Sequence, residues 1–304
     1  MRSRKELLWR SRPLPWRNTA SMHLAPKPVI QPEEFRLIRE FVIEEFGIVL
    51  DEARAQYIFS RLLTHLADLG LESFHDYYTC LRFSPRGSTE HHRFISTITN
   101  NETYFFREDA QLQVVAEHVI PHLKVKKQHG GQKKIRIYSI GCSSGEEVYT
   151  LAMILLESGH LLWDWDILVT GLDIDREMIA RAKAGVYSGR AFQTTPQHYL
   201  EKYFTKAGDG FQVKESLRNI TKFEERNMLQ LDPLCTLDQA DVIFCRNVFI
   251  YFNDATVRKI VDSFASLLQP EGFLFLGHSE SLSRITSRYE PIRHPGAIVY
   301  RKRD

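Results

Sequence analysis

Four short segments place reactive residue types where a strand would hand over to a helix or a loop. In SIGCSSGEEVYTLAM (139–153), Gly141 and Gly145 permit a tight turn and close approach of a ligand to the backbone. The segment matches neither G-x-G-x-x-G nor the G-K-[ST] ending of a phosphate loop. Glu146 and Glu147 open the following helix and would repel the pyrophosphate that such an N-terminus otherwise attracts, so a neutral or cationic ligand fits. Equally, both acids would favour the helix dipole without touching any ligand. In GLDID (171–175), Asp173 lies just past a strand, where a carboxylate can accept both hydroxyl hydrogens of a ribose. Asp175 reads as the N-cap of the next helix. CRNVFIYF (245–252) sets Arg246, Asn247 and Tyr251 among apolar residues, and TNNETYFFRE (99–108) groups Asn101, Thr103 and Arg107 around a double phenylalanine. Each of these last two also reads as an ordinary strand end or domain hinge.

The two glycine- and aspartate-bearing turns together describe a nucleoside site that avoids phosphate. S-adenosylmethionine, an adenosine joined to a sulfonium and an amino acid, is the common ligand of that kind.

The elements that must position these residues fall into two blocks. From Pro32 to about Thr99 the pattern is helical: Phe35, Ile38, Val42 and Phe46 share one face, and Gly47 closes the segment. Asp51 caps a second helix with an Ile58, Leu62, Leu66, Leu69 stripe, and Ser73 with Asp76 resembles a capping box. A helix after residue 108 runs towards Pro121, so the expected helical domain is 28–123. KVKKQHGGQKK (124–134) reads as a solvated linker. Strands then alternate with helices at 135–140, 167–172 and 241–245, with further strands at 272–277 and 297–301. That alternation means an α/β domain over 135–304, built on a mostly parallel sheet with ligands beyond the strands' carboxyl ends.

Of 304 residues, 43% are hydrophobic and 26% charged, close to ordinary globular usage, and no apolar run approaches a membrane span. The net charge of +2 conceals asymmetry. Residues 1–27 hold seven basic side chains against Glu6 alone, which leaves 33 basic and 37 acidic residues in the rest. A mildly acidic body argues against charge-driven nucleic-acid binding. The segment 1–27 lacks a secretory apolar core and reads as a disordered tail, or as an over-extended start with Met22 as initiator. Cys80, Cys142, Cys235 and Cys245 form no C-x-x-C pair, which suits a reduced, cytoplasmic setting, and no histidine pattern suggests a metal. His278 is expected to make a structural hydrogen bond.

The ordered set NETYFFRE, GCSSGEE, LDID, FCRNVFIYF and GHSES (277–281) resembles the chemotaxis receptor glutamate methyltransferases, the CheR-type family, over roughly residues 32–302. The resemblance implies a small N-terminal helical domain and a Rossmann-like S-adenosylmethionine-dependent methyltransferase domain. It also implies a small antiparallel β-subdomain inserted near 199–224. Carried over by position, it implies cofactor contacts from Asn101, Thr103, Arg107, Gly141, Glu147, Asp173, Asn227, Met228, Arg246 and Asn247. Arg107 and Tyr251 would address the methyl-transfer centre and the incoming carboxylate. The implied partner is the cytoplasmic helical region of chemoreceptors, with no nucleic acid and no membrane insertion. A receptor-binding module without turnover, and a methyltransferase for small molecules or nucleic acid, are the competing classes.

Two departures from the family pattern stand out. The second helix offers only Arg54, Arg61 and His65 where many relatives carry a basic stripe, and residues 31–110 hold 8 Lys/Arg against 14 Asp/Glu. The hairpin turn at Ala207–Gly210 is short, where relatives that tether to a receptor's C-terminal pentapeptide have a longer, glycine-marked loop. A tether-independent enzyme is the expectation.

Overall fold

The computed structural model describes residues 28–131, 133–159, 164–231 and 237–303; the basic segment 1–27 and Cys235 lie outside these. The chain opens with α1 (Pro32–Phe46), α2 (Glu52–Leu69), α3 (Phe74–Phe83) and α4 (Thr89–Ile98). Gly47 and Gly70 close α1 and α2 in left-handed geometry, and the side chains of Asp51, Ser73 and Ser88 accept first-turn N–H groups of α2, α3 and α4. One aromatic-rich core, including Ile38, Phe41, Tyr77 and Phe94, joins the four.

Helix α5 (Asp109–Val114) passes through a π turn (Val115–Val119) into α6 (Ile120–His129). Two expectations are corrected here. The helix does not stop at Pro121: the π turn runs directly into α6, which carries the proline in its first turn, where the missing N–H is tolerated. Residues 124–129 are therefore helix and not linker. Lys127 makes a largely buried ion pair with Asp241 at 2.7 Å, and Lys126 pairs with Glu271 at 3.0 Å. Moreover, Phe105, Phe106, Leu112, Val115, Ile120 and Leu123 pack into the core of the α/β domain and not into that of the four helices. The structural boundary thus falls near residue 100 and not at 123.

The remaining elements are β1 (Lys134–Ile140), α7 (Glu146–Glu157), β2 (Asp166–Asp173), α8 (Arg176–Ala184), β3 (Val186–Tyr187), α9 (Gln197–Tyr203), β4 (Phe204–Ala207), β5 (Gly210–Val213), α10 (Glu215–Arg218), β6 (Thr221–Glu225), β7 (Ala240–Cys245), α11 (Asp254–Leu267), β8 (Leu268–Leu276), β9 (Tyr289–His294) and β10 (Ala297–Lys302). Seven strands form one sheet in the order β6-β2-β1-β7-β8-β10-β9. The first five run parallel, and β10 and β9 are antiparallel. Strand alternation sorts the core into two layers. Ile135, Ile137, Val242 and Phe244 face α5–α7, whereas Tyr138, Ile140, Ile243 and Cys245 face α11.

The antiparallel insert is a separate three-stranded sheet, β3-β5-β4. It starts at Val186, earlier than the expected 199, and ends before β6, which belongs to the main sheet through its pairing with β2. The chain order reverses between β1 and β7, and the carboxyl ends of β1, β2 and β7 open onto that point.

Candidate active site

Past β1, Gly141 turns with φ +78, and a Cβ there would come within 2.6 Å of Val248. The glycine is therefore needed to seat this turn against the loop after β7. The N–H groups of Gly141 and Cys142 both donate to the Leu172 carbonyl, which locks the turn onto β2. Asp173, at the tip of β2, is buried; its carboxylate accepts the N–H of Ser143 at 2.7 Å and of Asp175 at 2.8 Å. Burial pushes its pKa up to about 6, against the opposing pull of those N–H groups.

The two glutamates of α7 diverge. Glu146 is buried, accepts the Ser144 hydroxyl, and has its pKa raised by burial. Glu147 lines the cavity, accepting the Ser139 hydroxyl at 2.7 Å and Arg246 Nε at 2.6 Å. Arg246 in turn donates through Nη1 to the Arg107 carbonyl at 2.8 Å and lies 3.7 Å from Glu108.

The loop before α5 is anchored by its phenylalanines. Phe105 stacks on Phe192 at 5.2 Å and meets Tyr187 and Phe204 edge-on, while Phe106 packs on Tyr199 at 4.6 Å. The β-insert thus braces the segment that carries Asn101, Thr103 and Arg107. Phe106 and Glu108, on either side of Arg107, both adopt left-handed φ of 59°. With Ser143 and Asn247 they make four of the five non-glycine residues in that region among the described residues, a concentration of strain around one cavity. Arg107 donates to the Glu102 carbonyl at 3.0 Å and packs over Tyr104, and it has no carboxylate partner among the described residues.

Asn101 is tied to the junction of the two domains: its Nδ2 donates to Asp175, ahead of α8, at 2.8 Å and to the Thr99 hydroxyl at 3.2 Å, and its carbonyl accepts the Ser143 hydroxyl. Asp175 is the expected N-cap, accepting from Glu177 and Met178, and it also accepts the hydroxyls of Ser96 and Thr99.

After β7, the segment 246–252 is held from two sides. The Glu280 carboxylate accepts backbone N–H groups of this loop, and the helical domain stitches onto its far end. There the Tyr251 carbonyl accepts the Val49 N–H, Ile48 bridges Phe252, and the Arg54 guanidinium sits 4.1 Å from the Tyr251 ring centre.

Asn101, Thr103, Arg107, Gly141, Glu147, Asp173, Met228, Arg246, Asn247 and Tyr251 all line one cavity. Asn227 does not: its side chain caps a short 3₁₀ turn through Leu229 N–H and donates to the Glu45 carbonyl. Sequence reasoning missed Arg54, which lines the cavity, and Glu108 and Glu280, which hold its loops. His278 is mostly exposed and meets Glu108 at 3.3 Å, a peripheral contact. No group of side chains among the described residues could hold a metal.

The cavity suits a nucleoside bearing a positive group. Ile48, Ile174, Met228, Val248 and Phe252 supply apolar wall, Asp173 and Glu147 supply acceptors, and the buried Asn247 Oδ1 has no hydrogen-bond partner among the described residues. A glycine turn after β1, an acid at the tip of β2 and a sheet reversing at β1/β7 make this a Rossmann-like nucleoside-binding domain.

Residues 101–298 match the CheR methyltransferase, SAM binding domain, and residues 33–99 match the CheR methyltransferase, all-alpha domain. Chemotaxis protein methyltransferase 2 of Vibrio cholerae is 37% identical over 275 residues, covering 90% of this chain and 94% of that protein. The chemotaxis protein methyltransferase of Salmonella typhimurium is 31% identical over 274 residues, covering 88% and 90%. The chain belongs to the CheR family of S-adenosylmethionine-dependent chemotaxis protein methyltransferases. No helix among the described residues is long and apolar enough to cross a membrane.

Proposed function

We propose that this enzyme methylates glutamate side chains in the cytoplasmic helical region of chemoreceptors, and does so without a tether to a receptor C-terminal pentapeptide. The observation that carries the reading is Arg107: a cation without a carboxylate partner among the described residues, lining the same cavity as Tyr251 and Asp173. When bound, S-adenosylmethionine supplies a methyl group activated by its sulfonium. Asp173 accepts the ribose hydroxyls, and Glu147 and Asn247 present acceptors along the same wall. Arg107 orients the incoming carboxylate, with Tyr251 as its neutral hydrogen-bonding partner. A glutamate of ordinary pKa, about 4.3, arrives ionised, so no side chain need act as base. The carboxylate oxygen forms a bond to the methyl carbon as the carbon–sulfur bond breaks, and no proton moves. The protein's contribution is alignment.

Two features support tether independence and a different docking mode. The β4–β5 hairpin pairs Ala207 with Gly210, so its turn is only Gly208–Asp209. On α2, His65 is buried between Tyr77, Glu90 and Thr97, with its pKa lowered by burial, and Arg54 is committed to Tyr251 and the Ile98 carbonyl. Docking by attraction from α2 is correspondingly weak, and the basic segment 1–27 would serve as the electrostatic arm. Incubation with labelled S-adenosylmethionine and receptor membranes, followed by site mapping, tests the reading; base-labile label on receptor glutamates is expected, and base-stable label would refute it. Measurable binding of a receptor C-terminal peptide, lost when residues 206–210 are changed, would refute tether independence.

A further inference from the structure

We infer that Glu280 is a positioning residue whose carboxylate sets the conformation of the Asn247–Tyr251 segment and, through it, the placement of the Tyr251 hydroxyl and the Asn247 amide in the cavity. Glu280 does not itself line that cavity. Its Oε1 accepts the N–H groups of Phe249 at 2.7 Å and Ile250 at 3.3 Å, and its Oε2 accepts those of Gly277 at 2.7 Å and Asn247 at 3.0 Å. The 3₁₀ turn Phe249–Tyr251 has no side-chain cap of its own, so its first N–H groups would be orphaned. Glu280 caps that turn from about thirty residues away in sequence.

The fit is tight on the other side as well. A Cβ on Gly277 would come within 2.8 Å of Asn247 N and 2.9 Å of Glu280 Oε2, so the two loops leave no room for a methyl group. Asn247 is held at φ 60, a conformation that an unanchored loop would relax.

All four partners are donors, and an ionised carboxylate is acceptor-only. A carboxamide at this position would satisfy one pair of N–H groups and point its own NH₂ at the other pair. Glu280→Gln is therefore a disruptive change despite its matched shape, whereas Glu280→Asp keeps the charge with a shorter reach.

The inference rests on the reading of Tyr251 as the substrate-side hydroxyl, and a double-mutant cycle separates the two. Turnover on receptor membranes, S-adenosylhomocysteine affinity by calorimetry and melting temperature are measured for the wild type, Glu280→Ala, Glu280→Gln, Glu280→Asp, Tyr251→Phe and the double variant Glu280→Ala/Tyr251→Phe. Glu280→Ala and Glu280→Gln should each lower kcat by about 10–100-fold, with Gln no better than Ala and Asp recovering part of the loss. In the Glu280→Ala background, Tyr251→Phe should cost less than half its wild-type effect on log kcat. Full additivity overturns the inference, as does a Glu280→Gln enzyme within about twofold of wild-type kcat. If Tyr251→Phe alone leaves kcat unchanged, the Tyr251 reading fails by itself. The Glu280 role is then decided by the same cycle run with Asn247→Ala on S-adenosylhomocysteine affinity, where coupling supports it and additivity overturns it.

Discussion

The guanidinium of Arg246 donates to the main-chain carbonyl of Arg107 at 2.8 Å, so one buried cation fixes the backbone that carries the other. The same guanidinium pairs with Glu147 at 2.6 Å, with only 3% of the Arg246 side chain exposed. Arg246→Ala would leave Glu147 with Ser139 alone, and removing one partner of a buried pair costs about 3–5 kcal/mol. Arg246 reaches the Glu147 carboxylate and the Arg107 carbonyl through two different nitrogens of its fork, which a compact ammonium does not reproduce, so Arg246→Lys should recover less than half of the loss. Urea denaturation measures both.

Arg107→Ala should behave differently. Its side chain contacts one carbonyl and one ring, so stability should stay within about 0.5 kcal/mol. Turnover should fall by about 100-fold while S-adenosylhomocysteine affinity falls less than about fivefold. Equal losses, by methyl-transfer assay and calorimetry, would remove Arg107 from the substrate side.

Asp173 should make ligand affinity pH-dependent. Its ionised form accepts ribose hydroxyls, so the dissociation constant for S-adenosylhomocysteine should rise as pH falls below about 6, by up to about tenfold per pH unit. The effect on folding has the opposite sign. The folded-state pKa is raised from 3.8 to about 6, so the ionised form is the disfavoured one inside the fold. The ligand-free protein should gain stability from this group as pH falls from above 6 towards 4. Asp173→Asn should abolish both dependences while weakening binding at pH 8. Calorimetry and thermal melts across that range are the check.

Asp175→Ala removes a helix cap together with links to Ser96, Thr99 and Asn101, and the residue is fully buried. A loss of about 3 kcal/mol or more is expected in denaturant, with weaker S-adenosylhomocysteine binding because Asn101 loses its anchor. Unchanged binding in a destabilised variant would show that Asn101 holds its place without Asp175.

Deleting residues 1–27 should lower kcat/KM on receptor membranes at low salt, and the difference should vanish near about 0.5 M salt, where charges more than a few ångströms apart are screened. Equal activity with and without the segment at low and moderate salt would make it incidental to docking.

Much of this architecture was legible in the chain. The buried strands β2 and β7 carry short apolar runs, β1 sets its isoleucines and Tyr138 around Arg136 and Ser139, and Asp173 was placed by its position at the end of β2. The strands that escaped are edges. β6, TKFEE, is mostly charged and half exposed, and β9 carries Pro291, so neither shows a buried-strand pattern. The π turn was hidden because Pro121 reads as a helix stop. Glu108 and Glu280 could not be found by spacing, because their partners lie across the fold: Glu108 meets Arg246, and Glu280 meets the loop after β7. Asn227 shows the converse, a position matched by motif whose side chain the local backbone uses as a cap.

Ile48 and Arg54, from the helical domain, form cavity wall with Tyr251 and Phe252, from the loop after β7. The linear junction near residue 100 is therefore not the line along which this enzyme comes apart. A chimera that exchanges helical domains between relatives at that junction would join two half-walls that were never fitted to each other. The transferable unit is the helical domain together with residues 246–252, two stretches far apart in sequence that recombination would have to inherit as one.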